Sequence, residues 1–74
     1  MMYVIFDENK GFGKAFKSIT DAYNHVLDYF MAPNTIKRIK DRRVVIADEK
    51  GEMKIIYLED GKEIDHIYIK KINY

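Results

Sequence analysis

The chain has 74 residues and no cysteine, and its 13 basic and 12 acidic side chains give a formal charge of +1. That length allows one domain over residues 1–74 with a small core, and the missing cysteine excludes disulfides and thiolate chemistry. The balanced charge lacks the basic excess that is usual in nucleic-acid-binding proteins.

The first predicted element is a strand over residues 2–6, which form a continuous apolar run. The run has neither the basic region nor the small-residue cleavage site of a signal peptide. No stretch of the chain reaches the roughly 18 apolar residues that a membrane span needs. We therefore expect a cytoplasmic protein, in the host cytoplasm if a phage encodes it.

Residues 7–17 interrupt the apolar pattern with turn-forming residues and predict a loop that carries Phe12 and Phe16. The glycines of this loop fit neither common phosphate-binding pattern. Ala15 stands where a Walker loop needs Ser or Thr, and Phe16 replaces the third glycine of the dinucleotide pattern. A flexible loop is favoured over a phosphate site.

An amphipathic helix is predicted to begin after Ser18, whose hydroxyl can cap the first turn while Asp21 favours its positive end. Apolar residues then recur at steps of three and four over residues 19–30. Pro33 pushes the residue before it out of the α region, so the helix is expected to end near Met31.

The rest of the chain predicts strands. Turns at Glu49–Glu52 and Asp60–Gly61 separate three apolar runs, and a further strand is expected over residues 35–40, turning near Asp41. The expected order is β-α-β-β-β-β. This is an α+β fold in which an antiparallel meander packs one amphipathic helix against one face.

The two turns predict which strand residues share a face of the sheet. The pairs expected on the helix-facing side are Tyr57 with Ile64, Ile55 with His66, Met53 with Tyr68, Ile46 with Ile55, and Val44 with Tyr57. The other side would carry a second apolar set, made up of Val45, Ile56, Leu58, Ile67 and Ile69. One helix covers only one side of a sheet. The second set therefore predicts a protein interface, unless the loop over residues 7–17 folds across it.

The densest charge cluster is a predicted basic patch, made up of Lys37, Arg38, Lys40, Arg42 and Arg43. Cations on a hairpin can contact phosphates, and the affinity is then strongly salt-dependent. Lys and Arg also line edge strands to prevent unwanted pairing. The edge role is the favoured interpretation of the patch.

No residue set predicts catalysis, a metal site or a cofactor. His25 and His66 have no cysteine to join them in a zinc site, and the paired carboxylates fall at strand ends, where solvated charges are common. Tyr57 and Tyr68 are expected in the core and not as a platform for nucleic-acid bases. A small metal-dependent enzyme is the least favoured function.

The favoured function is a non-catalytic small interaction protein that binds and modulates another macromolecule, most simply another protein, with a homodimer as one form. The chain is rich in residues with AT-rich codons. Short chains of this kind are typical of phages and mobile elements, which favours an inhibitor of a host enzyme or defence complex. The alternative is a nucleic-acid-binding accessory protein that uses the basic patch. The order of elements is shared by too many unrelated functions to indicate a family.

Overall fold

The computed structural model describes residues 1–33 and 39–73. Its elements are β1 (Met2–Asp7), β2 (Gly11–Phe16), α1 (Ile19–Phe30), β3 (Arg42–Glu49), β4 (Glu52–Glu59) and β5 (Lys62–Ile72). In the described ranges the five strands form one antiparallel sheet in the order β2-β1-β5-β4-β3. The predicted α+β class, with one helix and an antiparallel meander, is confirmed.

The prediction of a loop over residues 7–17 is wrong, because the segment forms a β-hairpin with β1. Asp7 Oδ1 accepts the backbone N–H groups of Asn9 at 2.8 Å and Lys10 at 3.3 Å, which closes the turn. Gly11 then takes a φ of +84°, a left-handed conformation that glycine adopts without strain. Two strands therefore precede the helix. The strand expected over residues 35–40 lies largely outside the described residues.

The helix α1 begins and ends as the sequence predicts. Ser18 Oγ accepts the backbone N–H groups of Thr20 at 3.1 Å and Asp21 at 3.4 Å, so it satisfies two amides that have no partner inside the helix. At the other end the Met31 N–H donates to the Leu27 carbonyl at 2.9 Å. The capped helix presents its apolar side to the sheet.

The β3–β4 hairpin has the predicted register. Ile46 lies opposite Ile55, and the two-residue turn at Lys50 and Gly51 has φ angles of +55° and +77°. Both values suit a type I′ turn, whose twist matches that of the flanking strands. Val44 lies opposite Tyr57, as expected.

The β4–β5 hairpin departs from the predicted register after its first two pairs. Its turn at Asp60 and Gly61 has φ angles of +51° and +82°, again type I′. Leu58 pairs with Glu63 as a two-residue turn requires, but a bulge follows and Tyr57 pairs with Asp65. The prediction that Tyr57 pairs with Ile64 is therefore wrong. The predicted pairs of Ile55 with His66 and of Met53 with Tyr68 are wrong for the same reason. The observed pairs are Ile55 with Ile67 and Met53 with Ile69.

This single-residue shift exchanges the two faces of β5 beyond the bulge, because side chains alternate along a strand. Ile67 and Ile69 lie beneath the helix and are 6% and 3% exposed. His66 and Tyr68 lie on the opposite face. The buried cluster under the helix consists of Ile5, Ala22, Val26, Phe30, Ile55, Tyr57, Ile67 and Ile69.

Candidate functional site

The face of the sheet opposite the helix is the candidate site, and we call it the open face. The strand registers assign to it Met2, Val4, Phe6, Phe12, Ala15, Arg43, Val45, Ala47, Glu49, Glu52, Lys54, Ile56, Leu58, Glu63, His66, Tyr68, Lys70 and Ile72. The helix α1 packs on the other side, against β1, β2 and β5. Within residues 1–33 and 39–73, no helix or strand covers the open face.

Three of the five predicted interface residues lie on the open face. Val45 is 40% exposed, while Ile56 and Leu58 are half-buried. These three lie close together, because Val45 pairs with Ile56 and the next open-face residue of β4 is Leu58. The other two, Ile67 and Ile69, belong to the buried cluster, so their assignment to this face is wrong. The bulge in the β4–β5 hairpin is the reason.

The alternative in which residues 7–17 fold over this face is also wrong. Strand β2 pairs with β1 at the edge of the sheet and widens the open face instead of covering it. Phe12 lies beside Phe6, with ring centroids 4.9 Å apart, and it is 64% exposed. Phe16 points to the helix side, where the centroid of its ring lies 5.2 Å from that of the His25 ring.

A row of aromatic rings crosses the open face. Phe6 pairs with Phe12 on one side and with Tyr68 on the other, and Tyr68 pairs with Lys54. Sequence reasoning missed this row, because it placed Tyr68 in the core and residues 7–17 in a loop. A correct strand assignment for Phe12 would have indicated part of it.

Two lysines lie over these rings. Lys70 Nζ is 4.3 Å from the centroid of the Phe6 ring, and Lys54 Nζ is 5.8 Å from that of Tyr68. Each ammonium group is also paired with a carboxylate, since Lys70 reaches Glu52 at 3.5 Å and Lys54 reaches Glu49 at 3.8 Å. The ammonium groups themselves therefore lie between an aromatic ring and a carboxylate.

His66 joins the open face to two further carboxylates. Its Nδ1 lies 3.2 Å from Glu63 Oε2, and its Nε2 lies 3.5 Å from Glu8 Oε1. The edge of its ring faces Tyr68, with centroids 5.6 Å apart. Burial raises the pKa of Tyr68 above its ordinary value. The open face therefore combines aromatic, aliphatic and paired charged groups.

A shallow depression of about 230 Å³ lies on this face. Phe6 and Tyr68 line it together with the carboxylates Glu8, Glu49 and Glu52. Lys50 and Lys70 complete its wall. An aromatic lining beside carboxylates can take a protruding side chain of a partner.

The predicted basic patch does not form one surface. Arg42 points to the helix side, where its Nε donates to the Tyr57 hydroxyl at 2.7 Å and its Nη2 donates to the Phe30 carbonyl at 2.6 Å. The Tyr57 hydroxyl in turn donates to Glu59 Oε2 at 2.7 Å. Arg42 thus binds the last turn of the helix to the sheet. Its assignment to an exposed patch is wrong.

Arg43 lies on the opposite face of the sheet from Arg42. Arg43, the next residue along the strand, points to the open face and pairs with Asp41 at 2.8 Å. Lys40 is exposed before β3 begins. Lys37 and Arg38 lie outside the described residues. Alternation along β3 is enough to divide the two arginines between opposite faces.

No helix among the described residues is long and apolar enough to cross a membrane. In the same ranges, no group of three or more His, Asp or Glu side chains converges as metal ligands would. The chain matches no protein-family model, and it has no significant match among curated proteins or solved structures.

Proposed function

We propose that this chain is a small, non-catalytic interaction protein that binds another protein through the open face. The proposal rests on the cluster of Val45, which is exposed, with the half-buried Ile56 and Leu58, next to the aromatic row and on a side of the sheet that no described element covers. Contiguous apolar surface on a small domain usually marks an interaction site.

The dimensions of the open face suit a small protein interface. Five strands about 4.8 Å apart, with six to eleven residues of about 3.3 Å each, give a footprint on the order of 600 Å². A standard interface buries about 800 Å² per partner, so this face falls at the lower end of the range. Fully burying an exposed aliphatic side chain is worth about 1.5–3 kcal/mol, and completing the burial of the half-buried Leu58 would gain part of that.

The charges on the face favour a protein over a polyanion. Its cations are Arg43, Lys54, Lys70 and, in the wall of the depression, Lys50; the carboxylates in contact with the first three or with His66 belong to Asp41, Glu8, Glu49, Glu52 and Glu63. Carboxylates therefore outnumber cations on and around the face. A protein surface with apolar groups and charges of both signs complements it better than a phosphate backbone does.

The test compares two Ile-to-Lys variants. Ile56→Lys places a charge within the apolar cluster of the open face, whereas Ile64→Lys changes a residue on the bulge that is 47% exposed. Immobilised wild type, Ile56→Lys and Ile64→Lys are each incubated with lysate of the source cells, and retained proteins are identified by mass spectrometry. We expect one protein to be retained by wild type and Ile64→Lys and lost by Ile56→Lys.

Purified partner then gives the decisive measurement. Hydrogen exchange on the complex should show protection at the open-face strands around Phe6 and Ile56, with no added protection on α1. Circular dichroism confirms that each variant is folded before binding is compared. Equal binding by Ile56→Lys and wild type, or protection confined to α1, would overturn the proposal.

Nucleic-acid binding is the second candidate, and the aromatic row favours it. Phe12, Phe6 and Tyr68 lie in line on an exposed sheet with Lys54 and Lys70 above the rings, an arrangement that can stack the bases of a single strand. Fluorescence anisotropy with a labelled single-stranded oligonucleotide tests it across salt concentrations. The double variant Lys54→Gln, Lys70→Gln should then flatten the salt dependence. An absence of binding at low salt rejects this candidate.

A further inference from the structure

The two edges of the sheet are built differently. The β2 edge is short, contains Gly11 and Gly13, exposes Lys14, and has an irregular register with β1 between Val4 and Phe6. Glycines, an exposed lysine and a bulge all disfavour pairing with another chain. This edge has the protection that natural edge strands usually carry.

The β3 edge is less protected along its centre, because its charged residues Arg42, Arg43, Asp48 and Glu49 lie at the two ends of the strand. Its eight residues pair with β4 in an unbroken register, and the strand contains no Gly, Pro or Lys. Its centre is the apolar run Val44–Ala47, in which Val45 is 40% exposed on the open face and Ile46 is 53% exposed on the helix side. No strand in the described parts of the chain pairs along its outer side. A regular apolar edge of this kind is a template for another strand.

Strand geometry shows which backbone groups point outward. Glu49 and Glu52 close a two-residue turn, so they form a hydrogen-bonded pair, and hydrogen-bonded pairs then alternate along the hairpin. The N–H and C=O groups of Val44, Ile46 and Asp48 consequently point away from β4. These residues present the donors and acceptors that a further strand would use.

The charges along β3 favour a second copy of the same strand. Arg42 and Arg43 lie at its beginning, and Asp48 and Glu49 lie at its end. An antiparallel copy brings the basic end of each strand to the acidic end of the other, whereas a parallel copy opposes like charges. We propose that β3 pairs antiparallel with β3 of a second copy of this chain, which joins two five-stranded sheets into one.

Symmetry limits the register of this pair. Directly opposed residues share a face, so a twofold axis perpendicular to the sheet must pass beside one residue that lies opposite its own copy. If the pairing is centred on Val45, Val44 lies opposite Ile46 of the second copy. If it is centred on Ile46, Arg43 lies opposite Glu49 of the second copy. Both registers keep the open faces of the two copies on the same side.

Solution mass tests the pairing without depending on the function proposed above. Analytical ultracentrifugation of the wild-type chain should give twice 8.8 kDa at high micromolar concentration. Ile46→Pro removes an outward N–H while leaving the hydrogen bonds to β4 intact, so it should give 8.8 kDa with a folded circular dichroism spectrum. A monomeric wild type, or a dimeric Ile46→Pro, would overturn the proposal.

Crosslinking provides a measurement that does not depend on the proline variant folding. The chain has no cysteine, so Val45→Cys and Ile46→Cys each introduce a single thiol. A cysteine opposite its own copy has the Cα separation of about 4.5–5.5 Å that a disulfide accepts. Mild oxidation should convert one of the two variants to a covalent dimer, while the control Ile64→Cys stays monomeric. Failure of both variants to crosslink refutes the pairing.

A comparison of solution masses separates edge pairing from association through the open face. If Ile56→Lys is monomeric while Ile46→Pro is still dimeric, the edge pairing is refuted and the open face is the surface through which the chains associate.

Discussion

Replacing Tyr57 by Phe isolates the hydrogen-bond network that joins the helix to the sheet. The ring, which is 6% exposed and stacks on Phe30 with centroids 5.3 Å apart, is retained. The change removes only the hydroxyl that accepts from Arg42 and donates to Glu59, both at 2.7 Å. Its effect on stability therefore measures the network and not the packing.

The expected loss is about 2 kcal/mol in the free energy of unfolding. A hydrogen bond to a charged group contributes about 1.5–3 kcal/mol, and Tyr57 makes two of them. Arg42 and Glu59 are half-buried, so water can replace part of the hydrogen bonding that each side chain loses with the Tyr57 hydroxyl. Arg42 also keeps its bond to the Phe30 carbonyl. The loss should therefore be closer to that of one such bond than of two.

Urea denaturation at neutral pH is the assay, with Tyr29→Phe as the matched control. Tyr29 is 55% exposed on the same helix end, so removal of its hydroxyl should change stability by less than about 0.5 kcal/mol. The denaturant slope should be unchanged in both variants, because neither alters the surface exposed on unfolding. Equal stability of the two variants would show that the network contributes nothing measurable.

High pH gives an independent measurement of the same group. Burial raises the pKa of Tyr57, and the hydrogen bond to Glu59 raises it further, although Arg42 acts in the opposite direction. Above the ordinary tyrosine pKa of about 10, the unfolded chain loses this proton first. The stability is thus complete below that pH and falls as pH rises through the folded pKa. Tyr57→Phe should show a shallower fall than wild type, and an identical fall contradicts the assignment.

Three further changes test the cap, a turn and the strand register by urea denaturation. Ser18→Ala should cost about 1 kcal/mol, because two helix amides lose their acceptor, and a loss below about 0.3 kcal/mol contradicts the cap. Gly61→Ala should cost about 1 kcal/mol or more, since φ is +82°. Gly13→Ala should be nearly neutral, because its Cβ would lie 3.7 Å from Ile5, an ordinary contact. Ile69→Ala should cost about 2–5 kcal/mol, more than Ile56→Ala on the open face; the reverse order rejects the observed register.

Local sequence signals predicted the elements whose cause is local. The helix follows from the Ser18 cap and apolar residues at helical spacing, and the β3–β4 and β4–β5 turns follow from Gly51 and Gly61. Strand β2 could not be predicted this way, because Gly11 and Gly13 disfavour a strand unless a neighbour supplies the hydrogen bonds. Here β1 supplies them.

The residues of β5 that lie on the open face could not be predicted, because the bulge that places them there has no local sequence signal. The bulge inserts Ile64, an ordinary apolar strand residue, and no glycine marks the position. By contrast, the role of Arg42 did have a signal. Strand alternation from Val44 places Arg42 on the helix side and Arg43 on the other, so one patch containing both arginines was inconsistent with the predicted strand.

The bulge also determines what kind of partner the open face suits. Without it the face would display Ile67 and Ile69, and β5 would offer a plain aliphatic stripe. With it the same positions hold His66, which contacts two carboxylates, and Tyr68, whose ring lies beside Lys54. Such a face should bind a partner by combining apolar contact with hydrogen bonds. If β3 joins two copies, two such faces lie side by side, and the partner that fits best is itself twofold or long enough to contact both.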